Sequence, residues 1–285
     1  MAARGGAFRV ESRRHPAVDA VVALRETAAR RASGLCLAEG PHLVGEALSA
    51  GWQPMAVFAT DGWNEPALVA ALRPRLLAPH RPGADRGWEG DEALPAAARG
   101  WWRVSSRVMA AIAGTRTPQG LVTVFAPPDG ATSAAADWTL VLDGVQDPGN
   151  VGALARCLFA FGGAGSLLIT GPGAADPLAE KALRASAGAS FHLRHRHVAA
   201  DLAAAVGALP TRRFALCAHG GESLVDAGLS APLALVVGAE GAGVGPAVRA
   251  LCRPVTVPLR PGAESLNVAA AAAVALYEAT RAAPP

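Results

Sequence analysis

Short apolar runs alternate with amphipathic stretches along most of the chain, which is the pattern of an α/β protein. In the first half this pattern predicts strands at 35–40, 55–59 and 120–125, a helix at 40–50, and a strand end and helix within 103–113. In the second half it predicts strands at 139–142, 166–169, 192–194, 214–217, 233–237 and 254–257, and helices at 150–161, 177–187, 199–208, 246–251 and 266–281. The run at 233–237 is apolar without alternation, so we expect a parallel sheet that is covered on both faces.

A segment rich in Pro, Gly, Ser and Ala separates the two halves. It spans 126–137 and interrupts the alternation of strands and helices. We therefore predict an N-terminal α/β domain over 1–125, a linker over 126–137, and a second α/β domain over 138–285. Periodicity is weak over 61–100.

Composition narrows the class of protein. Hydrophobic residues make up 51% and charged residues 17% of the 285 positions, which excludes a wholly disordered chain. The sequence contains no uninterrupted apolar stretch of about 18 residues and no apolar signal region at its start, so we expect no membrane span and a cytoplasmic location. The four cysteines stand singly, without a C-x-x-C pair, so we expect buried thiols and no metal.

The positive charge is concentrated in the first half. The net charge is +3, and the first 136 residues carry 15 basic and 12 acidic side chains, whereas the remainder carries equal numbers. An early helix-like stretch holds Arg13, Arg14, Arg30 and Arg31. This stretch is either a solvated amphipathic helix or a surface that faces phosphate groups.

Three loops that follow predicted strands carry unusual residues. The first places Asn150 where a helix should start and Arg156 inside that apolar helix. The second is rich in glycine, with Glu240 as its only charge, and the third places Ser265 and Asn267 before an Ala-rich helix. Each feature also has a plain structural explanation, namely helix capping, a solvent-directed arginine or a flexible turn.

The glycine loop does not match the known nucleotide-phosphate loops. It lacks the Lys-Ser/Thr of a P-loop, and its glycine spacing differs from the dinucleotide-binding fingerprint. No such fingerprint follows the first strand either, which disfavours a nucleotide-dependent oxidoreductase.

The order and spacing of these loops resemble the three motifs of the SpoU/TrmH family of RNA ribose 2′-O-methyltransferases. The matching strings are Asp147-Pro-Gly-Asn-Val-Gly with Arg156, Gly238-Ala-Glu-Gly-Ala-Gly, and Val257-Pro with Ser265-Leu-Asn-Val-Ala. Upstream, Glu39-Gly-Pro-His-Leu-Val-Gly-Glu-Ala-Leu and the segment 108–122 are similar to the family's N-terminal substrate-binding domain. The resemblance covers most of the chain and is weakest over 61–100.

This resemblance implies a C-terminal SPOUT methyltransferase domain with a trefoil knot and a smaller N-terminal α/β domain of ribosomal-protein-like fold. It implies a homodimer that uses S-adenosyl-L-methionine and binds structured RNA. The two-domain layout favours 23S ribosomal RNA. A tRNA 2′-O-methyltransferase, an antibiotic-resistance enzyme and a catalytically silent RNA-binding protein of the same fold remain alternatives.

The family pattern also implies roles for single residues. Backbone groups of Gly238, Val257 and Leu266 would bind the cofactor. The implied catalytic residues are Arg156, Asn150, Glu240, Ser265 and Asn267. We expect Arg156 to bind the target phosphate and stabilise the developing alkoxide, because a guanidinium stays protonated, and Asn150 to orient Arg156 or the ribose. Arg13, Arg14, Arg30 and Arg31 would bind RNA.

Overall fold

The computed structural model describes residues 8–77, 94, 98–128 and 136–281. The first of its two units comprises the described residues within Met1–Gly130 together with Leu178–Leu183. The second comprises those within Ala131–Pro177 and Arg184–Pro285. Leu178–Leu183 falls in the second domain of the sequence prediction but groups with the first unit here. Most of the predicted linker, residues 129–135, lies outside the described residues.

The first unit is built on a mixed sheet of five strands. The strands are β1 (Phe8–Val10), β2 (Cys36–Glu39), β3 (Gln53–Thr60), β4 (Gly100–Val104) and β5 (Leu121–Ala126). Their order is β1-β4-β3-β5-β2, and β5 runs antiparallel to both of its neighbours. Every residue of β5 is buried, which explains why its sequence is apolar apart from Thr123.

Five helices accompany this sheet in the described part of the unit. They are α1 (Pro16–Ala23), α2 (Thr27–Ser33), α3 (Pro41–Ser49), α4 (Pro66–Leu77) and α5 (Ser106–Ile112). The sequence pattern does not predict α4, because Pro74 interrupts its periodicity. The single basic helix that the pattern suggests near the N-terminus is instead β1 followed by two short helices.

Arg30 is not on the surface that the sequence predicts. Its side chain is only 5% exposed, and Nη1 donates to the carbonyl oxygens of Leu24 (2.9 Å) and Arg25 (2.6 Å), which follow α1. Nη2 donates to Oγ1 of Thr27 at 3.0 Å. The guanidinium therefore satisfies carbonyl groups at the turn between α1 and α2, so Arg30 does not have the exposure expected of a phosphate-binding residue. Its neighbour Arg31 is exposed.

The second unit contains a sheet of seven parallel strands. They are β6 (Trp138–Asp143), β7 (Leu167–Thr170), β8 (Arg194–His197), β9 (Arg212–Leu216), β10 (Glu222–Ser223), β11 (Leu233–Gly238) and β12 (Arg253–Thr256). Their order is β10-β12-β9-β11-β6-β7-β8, so β11 and β6 lie at the centre. The predicted parallel sheet is thus confirmed, and β11 is buried along its whole length.

The helices of the second unit cover both faces of its sheet. The elements are α6 (Pro148–Gly162), α7 (Glu180–Ala185, which begins in the first unit), α8 (Leu202–Gly207), α9 (Pro246–Arg249) and α10 (Val268–Arg281). Helices α6 and α10 share one hydrophobic cluster with the sheet, whereas residues of α8 and α9 belong to a second cluster. The buried side of α10 is mostly alanine, which lets it pack closely against α6.

The predicted strand at 192–194 is wrong. The chain forms a 3-10 helix over Ala189–His192, and β8 begins only at Arg194. Buried Phe191 anchors the 3-10 turn, and the ring of His192 stacks on that of Phe159 with centroids 4.8 Å apart. The trefoil knot stays a prediction. Within the described ranges, every helix is too short or too polar to cross a lipid bilayer.

The buried position of Arg30 predicts a loss of stability when it is replaced. Arg30→Ala removes three hydrogen bonds at a buried site, and we expect the free energy of unfolding to fall by about 1.5–3 kcal/mol. Urea denaturation followed by tryptophan fluorescence measures this, since Trp52, Trp63, Trp101 and Trp102 all lie in the first unit. The exposed neighbour provides the control, and an equal loss in Arg31→Ala would contradict the structural role.

Candidate active site

A cavity of about 600 Å³ opens at the carboxyl end of the second unit's sheet. It lies where β9, β11 and β12 end, which is where ligands bind in open parallel sheets. Its lining comprises Leu216, Cys217, Ala218, His219, Val237, Gly238, Ala239, Glu240, Gly241, Gly243, Thr256, Val257, Leu259, Glu264, Ser265, Leu266, Asn267, Val268 and Ala271. Six of the eight residues that the family resemblance places at the cofactor and the reaction are among them.

The glycine loop after β11 folds back on itself at Gly238. A Cβ atom at Gly238 would lie 1.9 Å from the carbonyl carbon of Gly243, so no side chain fits there. The Gly243 amide donates to the carbonyl oxygen of Ala239 at 2.9 Å and closes the turn. A second contact fixes the loop to the central strand β6, because the Gly245 amide donates to Asp143 Oδ2 at 2.7 Å. The loop is therefore a defined backbone turn and not a flexible segment.

Asn150 is inside a helix and does not cap it. The cap of α6 is Asp147, three residues earlier than the cap that the sequence suggests. Its Oδ2 accepts a hydrogen bond from the Asn150 amide at 3.2 Å. The side chain of Asn150 is consequently available for other contacts. Its Nδ2 donates to Oε1 of Glu240 at 2.5 Å, which joins the first loop to the second.

Asn267 joins the third loop to the first. Its Oδ1 caps α10 by accepting from the amides of Ala269 (2.9 Å) and Ala270 (3.4 Å). Its Nδ2 donates to Oδ1 of Asn150 at 3.0 Å. Glu240, Asn150 and Asn267 thus form one hydrogen-bonded chain beside the cavity, so capping alone does not account for either asparagine.

The cavity combines apolar walls with acidic groups. Val237, Val257 and Leu266 line it, and Leu266 is 42% exposed at its mouth. Glu240 and Glu264 contribute carboxylates. Such a cavity suits a ligand that combines an apolar part with a positive charge, and its volume is in the range of about 300–1,000 Å³ that is common for small-molecule sites.

Arg156 is not among the cavity-lining residues. It is exposed on α6, six residues beyond Asn150, which corresponds to about 9 Å along the helix axis and about 120° around it. The Asn150 side chain is engaged by Glu240 and Asn267, so the structure does not bring Asn150 and Arg156 together. Ser265 is exposed at the cavity, with no hydrogen-bond partner among the described residues.

The remaining predicted RNA-binding residues lie on the first unit. Arg13 and Arg14 are exposed before α1, and Arg31 is exposed on α2. Arg13 Nε donates to the carbonyl oxygen of Arg107 at 3.3 Å, which adds another exposed cation from α5 to this surface. Within the described part of the chain, no carboxylate forms an ion pair with these four guanidinium groups.

The sequence motifs miss one wall of the cavity. This wall is the loop after β9, which contains Cys217 and His219. The sequence does offer a signal for it, because this loop follows a parallel strand as the other site loops do. The expectation of buried thiols holds for Cys36 alone, because Cys157, Cys217 and Cys252 are only partly buried. Burial raises the pKa of Cys252 to about 11, so it remains protonated at neutral pH.

Known families match both parts of the chain. The profile of the SpoU rRNA methylase family matches residues 137–277, and that of the MRM3-like substrate binding domain matches 15–123. An uncharacterised tRNA/rRNA methyltransferase of Synechocystis is 30% identical over 283 residues, which cover 95% of this chain and 93% of the relative. The 23S rRNA (guanosine(2553)-2′-O)-methyltransferase RlmP of Bacillus subtilis is 34% identical over 181 residues, covering 62% of this chain and 71% of RlmP.

Solved structures share the fold along nearly the whole chain. A TrmH-family protein from Porphyromonas gingivalis is 28% identical, with a TM-score of 0.73 over 93% of this chain and 97% of its own. The SpoU methyltransferase AviRb from Streptomyces viridochromogenes, solved in complex with AdoMet, is 24% identical with a TM-score of 0.74, covering 94% and 98%. Since a relative of nearly full coverage and the family profile agree, the chain belongs to the SpoU rRNA methylase family of RNA methyltransferases.

Proposed function

We propose that this protein methylates a ribose 2′-hydroxyl of 23S ribosomal RNA, with S-adenosylmethionine (AdoMet) as the methyl donor. The observation that carries the proposal is the hydrogen-bonded chain from Glu240 through Asn150 to Asn267 beside the cavity. It unites the three loops that identify the family. RlmP, which shares 34% identity over 181 residues, is named for this reaction on 23S rRNA.

The cavity fits AdoMet. Its apolar walls suit the adenine ring, and Glu240 and Glu264 suit a ligand with a positive sulfonium. Backbone groups of Gly238, Val257 and Leu266 hold the adenosine. AviRb, which has the same fold, binds this cofactor. When bound, AdoMet would supply a methyl group activated by its sulfonium, and its transfer to the ribose 2′-oxygen would release neutral S-adenosylhomocysteine and the hydroxyl proton to solvent.

The polar residues divide into two roles. Glu240, Asn150 and Asn267 hold the three loops in register, and Asn150 positions these loops instead of orienting Arg156. The Ser265 hydroxyl is available to bind the ribose. Arg156, exposed on α6, binds the target phosphate and stabilises the negative charge that develops on the ribose oxygen. Alignment of that oxygen with the methyl group accounts for much of the acceleration.

The active form is a homodimer. Val274 and Tyr277 of α10 are 43% and 54% exposed, and the Tyr277 ring lies 6.1 Å from that of Phe161 on α6. These side chains form an apolar patch, the α6/α10 patch, on the helix pair that packs against one face of the sheet. A second copy of the chain would bury it. The protein works in the cytoplasm, where ribosomal RNA is modified.

Methyl transfer to RNA is the direct test of this function. The protein is incubated with tritiated AdoMet and 23S rRNA, 16S rRNA or bulk tRNA, and the RNA is then hydrolysed with alkali. A 2′-O-methyl group blocks cleavage at its own nucleotide, so we expect label in an alkali-resistant dinucleotide from 23S rRNA alone. Label only in tRNA would replace the proposed substrate, and RNA binding without transfer would indicate a catalytically silent protein.

Replacement of Arg156 should separate chemistry from cofactor binding. We expect Arg156→Ala to lower kcat by about 100-fold or more, in the range for loss of one group that stabilises an oxyanion. The Kd for AdoMet, measured by calorimetry, should stay within twofold of wild type because Arg156 does not line the cavity. Asn150→Ala is the contrasting variant and should weaken AdoMet binding, since it breaks the link between the loops.

Phosphate contacts by the first unit should appear in the salt dependence of RNA binding. Each lost contact lowers the slope of log K against log salt by about 0.7–0.9, so Arg13→Ala/Arg14→Ala should lower it by about 1.5. Arg9→Ala is the matched control. Its guanidinium already contacts Glu11 at 2.8 Å and Asp61 at 3.0 Å, and these partners raise the pKa of Arg9. Equal slopes in wild type and the double variant would exclude this surface.

A charge in the α6/α10 patch should dissociate the dimer. We expect wild type to sediment as a dimer and Val274→Glu/Tyr277→Arg to sediment as a monomer, since the variant would bury charges. Val225 is 69% exposed in the same unit but outside the patch, so Val225→Glu should remain dimeric. A monomeric wild type at micromolar concentration would contradict the proposal.

A further inference from the structure

One ionisable side chain on the cavity wall has no role in the scheme above. His219 lies in the loop after β9, is exposed, and lines the cavity. We infer that His219 binds the carboxylate of the methionine part of AdoMet and so selects for the intact amino-acid end of the cofactor. This inference rests on the proposed use of AdoMet.

The loop that carries His219 is held in place on both sides. The Cys217 amide donates to the carbonyl oxygen of Val255 at 2.8 Å, and Thr256 Oγ1 donates to the carbonyl oxygen of Ala218 at 3.1 Å. On the far side, Gly221 passes so close to β12 that an added Cβ would lie 2.6 Å from the Val255 carbonyl carbon. The backbone around His219 is therefore fixed against β12, and its side chain belongs to a preformed wall.

The charges of the cavity assign the partner of His219. AdoMet carries a sulfonium, an α-ammonium and one α-carboxylate. The ionisable side chains of the lining are the carboxylates of Glu240 and Glu264, the thiol of Cys217 and the imidazole of His219. Among the lining residues of the described chain, His219 is the only one that can carry a positive charge.

Complementarity then pairs each ligand charge with an opposite one. The carboxylates face the two cationic groups, and the imidazole faces the ligand's carboxylate. A ring N–H donates to a carboxylate whether the imidazole is neutral or protonated, and the bond is stronger when it is charged. An RNA phosphate is the competing partner for an exposed histidine, and a ligand that lacks only the carboxylate distinguishes the two.

Calorimetric titration of the full-length protein with three ligands tests the inference. The ligands are AdoMet, S-adenosylhomocysteine and decarboxylated AdoMet, which keeps the sulfonium and the amine but lacks the carboxylate. We expect His219→Ala to raise the Kd of the first two about tenfold, as for a lost hydrogen bond to a charged group. The Kd of decarboxylated AdoMet should change less than twofold. His42→Ala, an exposed histidine of the first unit, is the control and should change none of them.

The outcomes separate the inference from the proposed function. Equal weakening of all three ligands, or no weakening of AdoMet, would overturn the role of His219 while leaving the cofactor site intact. A wild-type protein that binds none of the ligands would overturn the cofactor assignment itself. If His219→Ala unfolds, His219→Gln replaces it, because the glutamine amide keeps a neutral hydrogen-bond donor. This variant should weaken AdoMet binding by less than a complete loss of the contact, and it should leave binding of decarboxylated AdoMet unchanged.

Discussion

The hydrogen-bonded chain from Glu240 through Asn150 to Asn267 is the contact on which the site depends. Asn150 is 90 residues from Glu240 and 117 residues from Asn267 in sequence, so each bond joins two loops that are distant along the chain. Each such bond is weak alone, contributing about 1 kcal/mol. They nevertheless define one geometry, because Asn150 is held by the start of α6 and Asn267 by its own capping of α10. The side chains meet because their backbones are already fixed.

The parallel sheet explains why these loops are neighbours at all. The central strands β6 and β11 run side by side, and β9 and β12 follow on one flank, so their carboxyl ends share one edge. Polar residues can occupy the loops because the strands that precede them bury apolar side chains on both faces. The Ala-rich contact of α10 with α6 brings the third loop down onto the first. The strands and helices thus provide stability, and the loops at the carboxyl-terminal edge of the sheet provide the residues of the site.

The sequence predicts the parts of the structure that follow from local pattern and from motif order. It locates most strands of the second unit within a few residues, and it identifies Glu240, Asn150 and Asn267 as members of one site. It does not predict that Arg30 turns inward, since helical periodicity cannot distinguish a solvated arginine from one that binds carbonyl groups across a turn. The sequence also does not identify His219 as a site residue. Whether the loop after a strand lines the cavity depends on the order of strands in the sheet, which the sequence alone does not give. The first helix of the site begins at Pro148 because Asp147 provides the cap. Asp147 and Asn150 are both residues that can cap a helix, so the sequence alone does not fix where this helix begins.

The turn at Gly238 has a consequence for enzyme engineering. The backbone of Gly243 and Val244 already fills the space that a side chain at Gly238 would need, so this part of the cavity lining cannot be reshaped by substitution. Synthetic donors that carry allyl or propargyl groups in place of methyl demand extra room. That room must come from lining positions outside the strands, such as Leu259 and Leu266, whose side chains can be shortened without changing β11.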